Sequence, residues 1–223
     1  MSRFMQDSDS HGSLKNLQTL INLKKEVIDI DLTNWLKTKT EVIWTSPIKD
    51  DDYAEYRDED FLKKLKITDR IIYPLKEFWP KNGPQWDALG IDNQSVFIVE
   101  AKANLPEIVS SPCGAGTVSR SQIIDSFSEL KEYLGINDTV DWTGKFYQYT
   151  NRLAHLYYLR VRNGINAYLL FIYFINDKTV NGPTSIEKWE GAIETMENYL
   201  GLGKKHKLKK YIREIFADVS TLV

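Results

Sequence analysis

Glu100 and Lys102 close the run Val96-Phe97-Ile98-Val99-Glu100-Ala101-Lys102, in which four apolar residues lead into two charges that flank an alanine. On a β-strand alternate side chains share a face, so the carboxylate and the ammonium point one way and Ala101 the other. A run this apolar belongs in an interior, where a charge is costly unless paired, hydrogen-bonded or bound to a metal. Pro84 to Gly90 and Ser95 to Ala103 both read as strands, separated by the turn-prone Asp92-Asn93-Gln94. With Asn93-Gln94 as a two-residue turn, antiparallel pairing sets Asp87 directly opposite Glu100, with Cβ atoms about 4.5–5.5 Å apart.

Two carboxylates that close repel, and one takes up a proton unless a divalent cation lies between them. Carboxylate and water oxygens suit Mg²⁺, with Mn²⁺ as the alternative, and Mg²⁺ commonly keeps several waters to present to a phosphate. Phosphodiester hydrolysis uses these parts: a metal that polarises the phosphoryl oxygen and acidifies a bound water, and a cation that places the nucleophile and offsets the added negative charge. Lys102 fits the second role. The competing reading is a structural hairpin with an internal Glu–Lys ion pair, because Glu-x-Lys alone specifies no chemistry.

A second set of residues lies on the helix expected from about Lys145 to Asn163. Projected at about 100° per residue, Gln148, Asn151, Arg152 and His155 fall on one face, surrounded by Tyr149, Leu153, Leu156, Tyr157 and Tyr158. A polar stripe on an otherwise apolar helix needs a partner, and a substrate, an internal hydrogen-bond network or solvent each supplies one. A lone histidine such as His155 is more often a satisfied structural residue than a base.

The elements that must position these groups follow from periodicity and turn residues. Leu14 to about Lys39 carries apolar residues at helical spacing, with a break expected near Asp29 to Asp31. Glu41 to Pro47 reads as a short strand, Asp52 to Lys66 as a charged helix, and Ile71 to Trp79 as an extended segment interrupted by Pro74. Asn104 to Val118 is a loop rich in proline and glycine, and its Cys113-Gly114-Ala115-Gly116 lacks the spacing and the Lys-Ser/Thr ending of a P-loop. Ile123 to Leu134 has the stripe of a helix stopped by Gly135. Ile165 to Ile175 is nearly all apolar and reads as a strand covered on both faces. Thr184 to Glu187 has the form of a capping box opening a helix, and a basic helix is expected to close the chain. The first thirteen residues are read as a disordered head and 14–223 as one domain.

Pro84-Gln85-Trp86-Asp87 and Glu100-Ala101-Lys102, in the order helix, hairpin, helix and late buried strand, resemble the PD-(D/E)xK nuclease superfamily. The resemblance covers roughly the middle three-quarters of the chain. It implies an α/β, restriction-endonuclease-like core, αβββαβ, with a mixed sheet flanked by helices and additional N- and C-terminal helices. It implies metal binding by Asp87 and Glu100, a catalytic role for Lys102, and a helix bearing Gln148, Asn151, Arg152 and His155 on the substrate side. Pro84 does not immediately precede Asp87, which the superfamily tolerates. Many members also use an acid on the first helix, for which Glu26 is the candidate, with Glu55 and Glu59 behind it.

Composition limits the partners. The net charge of -2 excludes a uniformly basic coat for nucleic acid, but Lys204, Lys205, Lys207, Lys209, Lys210 and Arg213 make a basic tail. Between Gly144 and Gly164 the bases Lys145, Arg152, Arg160 and Arg162 occur without an acid. No apolar run reaches the length of a bilayer span, and a single cysteine, Cys113, asks for no oxidising compartment, which favours the cytoplasm. Nucleic acid, with DNA first, is the expected partner, no membrane is expected, and a homodimer stays open. The function expected is Mg²⁺-dependent phosphodiester hydrolysis. The alternative is a non-catalytic module that keeps the fold to bind nucleic acid or protein.

Overall fold

A computed structural model describes every residue except Met1, Ser8, Asp9, Asp138 and Val223. At its centre is a five-stranded mixed sheet. In spatial order its strands are β2 (Ile43–Ser46), β4 (Ala88–Ile91), β5 (Val96–Lys102), β6 (Ala167–Ile175) and β7 (Ile212–Asp218). The first three pair antiparallel and the last three parallel. A separate two-stranded ribbon joins β1 (Arg3–Phe4) to β3 (Glu55–Tyr56).

Alternation along the strands sorts the interior into two layers. On one face Phe97, Val99, Ala101, Leu170, Ile172 and Ile215 pack under α1 (Gly12–Leu23) and α2 (Glu26–Leu36). On the other face Val96, Ile98, Leu169, Phe171 and Tyr173 lie under five helices. These are α3 (Asp58–Lys64), α4 (Leu75–Phe78), α5 (Thr117–Leu134), α6 (Tyr147–Tyr157) and α7 (Ile186–Tyr199). The nearly continuous apolar sequence of β6 follows from its place between two parallel neighbours with both faces covered. Among the described residues no helix is long and apolar enough to cross a membrane.

The hairpin forms in the expected register. Asp92 N–H donates to Ser95 O at 3.0 Å, which leaves Asn93-Gln94 as the turn, and Ala88 pairs with Val99. The late strand and the helices of the middle region also form where their patterns place them.

Several expectations are corrected. The closing basic helix does not form: Lys209–Tyr211 is one 3₁₀ turn, and β7 follows it. Leu208, Ile212, Ile215 and Phe216 have helical spacing, yet alternation also puts Ile215 and Ala217 under the α1–α2 layer and Ile212 on the other. Seven ladder pairs with β6 settle that ambiguity in favour of a strand. The segment 52–66 divides into β3 and α3, and α4 interrupts the segment expected to be extended. The first helix breaks at Lys24–Lys25 rather than near Asp29. Within the expected disordered head, Arg3 and Phe4 pair with β3, and the Arg3 guanidinium reaches Asp51 at 3.0 Å.

Gly90 of β4 pairs with Trp44 of β2. A Cβ there would lie 2.5 Å from Val42 Cγ1 and 3.0 Å from Trp44 Cε3. Gly90→Ala is therefore expected to lower unfolding free energy by about 1–3 kcal/mol through overpacking. Urea denaturation reads it, and an unchanged midpoint contradicts the packing described.

Candidate active site

β5 delivers Glu100 and Lys102 to the face beneath α6, because they continue the alternation of Val96 and Ile98. Asp87, one residue before the start of β4, extends the register to a position opposite Glu100. Its carboxylate takes the place of a ladder partner, with Oδ2 accepting the Ala101 N–H at 2.7 Å. The side chain is thereby fixed to the backbone between Glu100 and Lys102.

Glu100 is 2% exposed and both its oxygens are engaged. Oε1 accepts the Lys102 ammonium, and Oε2 accepts Arg152 Nε at 2.7 Å. The guanidinium is held in turn by Gln85 O at 2.7 Å, by Asn151 Oδ1 at 3.0 Å and by the Trp86 ring, 4.8 Å from its centroid. Lys102 Nζ also donates to Gln148 Oε1 at 2.8 Å, so α6 grips both cations of the cluster.

A third acid joins from β3. Trp86 N–H donates to Tyr56 O at 3.0 Å in an isolated antiparallel bridge. That bridge carries the neighbouring Glu55 in, and Gln85 Nε2 donates to its Oε2. Glu55 is buried. Among the three candidates for the further acid, only Glu55 reaches the cluster. Glu26 is exposed on α2, which covers the opposite face of the sheet, and Glu59 is exposed on α3.

Burial and mutual repulsion govern the charges. Burial pushes the Asp87 carboxyl well above the usual carboxylate range, and the charges of Glu100 and Glu55 push the same way. Burial and the Glu100 charge raise Glu55 to about 7, against the opposing Gln85 hydrogen bond. Glu100 goes the other way: burial would raise it, but Arg152 and Lys102 outweigh burial and hold it below its ordinary value. The cluster therefore combines one firmly ionised acid with two that resist ionisation.

The polar stripe of α6 divides. Gln148 and Arg152 reach the β5 charges directly, and Asn151 reaches them through Arg152. His155 does not join them. Its ring packs edge-on against Trp79 at 4.9 Å and Trp86 at 5.9 Å, and Nδ1 bonds to Asn151 O at 2.8 Å. Burial drives its pKa down to about 3, so it stays neutral as a core residue. Beside Glu100 and Lys102, Tyr149, Phe171, Tyr173 and Met196 line a small pocket of about 20 Å³, room for roughly one water. A cleft of about 610 Å³ lies at the other end of β5, around Asn93, Gln94 and Asn166.

No family model, no curated protein and no solved structure matches the chain. What the site can do therefore rests on its own atoms.

Removing Arg152 leaves one oxygen of a buried carboxylate without its cation, with Lys102 alone on the other. Arg152→Met is expected to cost about 3–5 kcal/mol of stability. Adding Glu100→Gln should recover a substantial part of that loss in a double-mutant cycle. Thermal unfolding measures both, and a double mutant no more stable than Arg152→Met alone contradicts this pairing.

Proposed function

We propose that this chain is a Mg²⁺-dependent nuclease of the PD-(D/E)xK type, acting most directly on DNA. The observation that carries the reading is the convergence of Asp87, Glu100 and Lys102 on one face, with Asp87 locked to the amide between the other two. The order α1–α2, then β2, β4 and β5 as an antiparallel meander, then α5–α6 and β6, agrees with the αβββαβ pattern that the motifs imply.

The donor chemistry fits a hard divalent cation. Among the described residues no group of three or more His, Cys, Asp or Glu side chains is placed to hold a metal ion. Mg²⁺ asks for less, since it is commonly held by one or two carboxylates and keeps its remaining waters. Asp87 and Glu100 are the proposed ligands, with Glu55 close behind. When bound, the ion would polarise a phosphoryl oxygen and lower the pKa of a water. Asp87 and Glu55, which repel each other and Glu100, would gain the counter-charge their buried setting lacks. Lys102, steadied by Gln148, would place the attacking water and offset negative charge growing on the phosphorus oxygens. Arg152 sets the orientation of Glu100.

Incubation of the protein with DNA and Mg²⁺ is expected to give cleavage that a chelator stops. Lys102→Ala and Asp87→Ala should each lose at least about 100-fold. Equal activity in all three proteins sinks the assignment, and a parallel RNA substrate distinguishes the polymer.

The acids also make stability depend on pH. Glu55 has an ordinary value of 4.5 and a folded value of about 7, so between them the folded state holds more protons than the unfolded one. Stability from this group is therefore present at low pH and falls as pH rises from about 4.5 to about 7. Glu55→Gln is expected to flatten that part of the profile, and Mg²⁺ should flatten it in the wild type. A wild-type profile unchanged by Mg²⁺ argues against a metal at these acids.

One observation favours a second reading, a non-catalytic nucleic-acid- or protein-binding module: both Glu100 oxygens already face cations. Calorimetry with Mg²⁺ or Mn²⁺ separates the two, because an internally neutralised cluster shows no metal uptake that depends on Glu100.

A further inference from the structure

The loop between α7 and β7 gathers positive charge that the fold does not consume. Lys205, Lys207 and Lys210 are exposed and, with Arg160 at the end of the α6 segment, form no ion pair among the described residues. Lys204 and Lys209 differ, since they pair with Glu194 and with Glu197 and Glu214. The loop borders a cleft of about 550 Å³ whose walls include Tyr133 and Tyr211.

The free cations are not simply waving in solvent. Arg160 lies flat over Tyr211, its Cζ 3.4 Å from the ring centroid, while Nη1 donates to Asn166 Oδ1 at 3.0 Å and to Ala167 O at 2.7 Å. Lys207 sits 4.8 Å above the Tyr133 ring and Lys210 4.9 Å above Tyr211. Aromatic backing and backbone anchors hold these heads in place, which lowers the entropy cost of meeting an anion. Successive lysines of residues 204–210 line this open cleft, and no acid is among its lining residues. That distribution suits a polymer with repeating anions better than a single phosphate ion. A bilayer surface fits less well, because stable insertion needs apolar side chains and none of the exposed large hydrophobics lies in residues 200–211.

We propose that this cleft is a docking groove for the phosphate backbone of nucleic acid, gripped through Lys205, Lys207 and Lys210 without reading bases, with Arg160 backing its Tyr211 wall. The cations already cover the tyrosine faces they touch, so those faces serve the cations rather than stacked bases. The groove is joined to the candidate active site through α6 and α7. Lys209 in the loop bonds Glu197 at 2.8 Å, and Glu197 accepts the hydroxyl of Tyr149, the neighbour of Gln148, at 2.9 Å. This proposal deepens the nuclease reading and rests on it for the identity of the anion.

The test separates binding from cleavage. Fluorescence anisotropy with a labelled DNA duplex, in chelator, is run over a series of salt concentrations. The wild type is compared with Lys205→Gln/Lys207→Gln/Lys210→Gln and with a control of equal charge change, Lys37→Gln/Lys39→Gln/Lys178→Gln. The groove variant is expected to bind at least about tenfold more weakly, with the slope of log K against log salt reduced by about 2–3, while the control matches the wild type. Equal loss in the two triple variants, or no loss in the groove variant, overturns the proposal. So does wild-type binding to phosphatidylserine vesicles or inorganic phosphate without binding to DNA. Groove-dependent binding without cleavage on adding Mg²⁺ keeps the groove and overturns the nuclease reading. Cleavage with groove-independent binding does the reverse.

Discussion

A carboxylate in the interior of a sheet has to be neutralised where it stands, and much of the structure around Glu100 does this. Lys102 on the same strand covers one oxygen, and Arg152 from α6 covers the other. Arg152 needs its own support, which Gln85, Asn151 and Trp86 supply. Those partners fix the approach to β4, and the backbone bridge from Trp86 to Tyr56 then fixes Glu55. Three acids and two cations thus form one electrostatic unit whose members come from four separate stretches of chain. Arg152 removed alone leaves the ionised Glu100 under-compensated, whereas loss of Asp87 or Glu55 relieves repulsion among the acids.

This unit also explains why Asp87 and Glu100 behave differently although they face each other. Glu100 is buried and Asp87 half-buried, and Arg152 and Lys102 direct their charge to Glu100. Asp87 receives a backbone N–H instead, which orients it without fully offsetting its charge. An ionised acid beside a reluctant one is the kind of asymmetry that acid–base and metal sites use.

Local signals make the centre of this arrangement legible in the sequence. The turn residues and alternation of the hairpin are short-range, so the register that opposes Asp87 to Glu100 follows from the residues between them alone. The polar stripe on α6 is equally visible, yet its meaning is not: Arg152 and Gln148 answer charges on β5, while His155 turns into aromatic packing. Both behaviours are compatible with the same helical wheel. Glu55 is hidden for another reason. It lies in a charged stretch that reads as a helix, and pairing with Phe4 and the bridge between residues 56 and 86 bring it inward. The final strand shows the same limit, because Leu208 to Phe216 carries both helical and alternating patterns and β6 decides between them.

The wide spacing of the partners has a consequence during synthesis. The β4–β5 hairpin is complete once Lys102 has been added, but the guanidinium that neutralises Glu100 is encoded 52 residues after it. A β4–β5 hairpin formed before α6 emerges has only Lys102 to set against its interior acid. Solvent must stay at that acid through this interval, so the inner face of the hairpin cannot be sealed first. Drying around Glu100 then awaits α6 for the guanidinium and, later still in the chain, β6 and α7, which bring Phe171, Tyr173 and Met196 beside it.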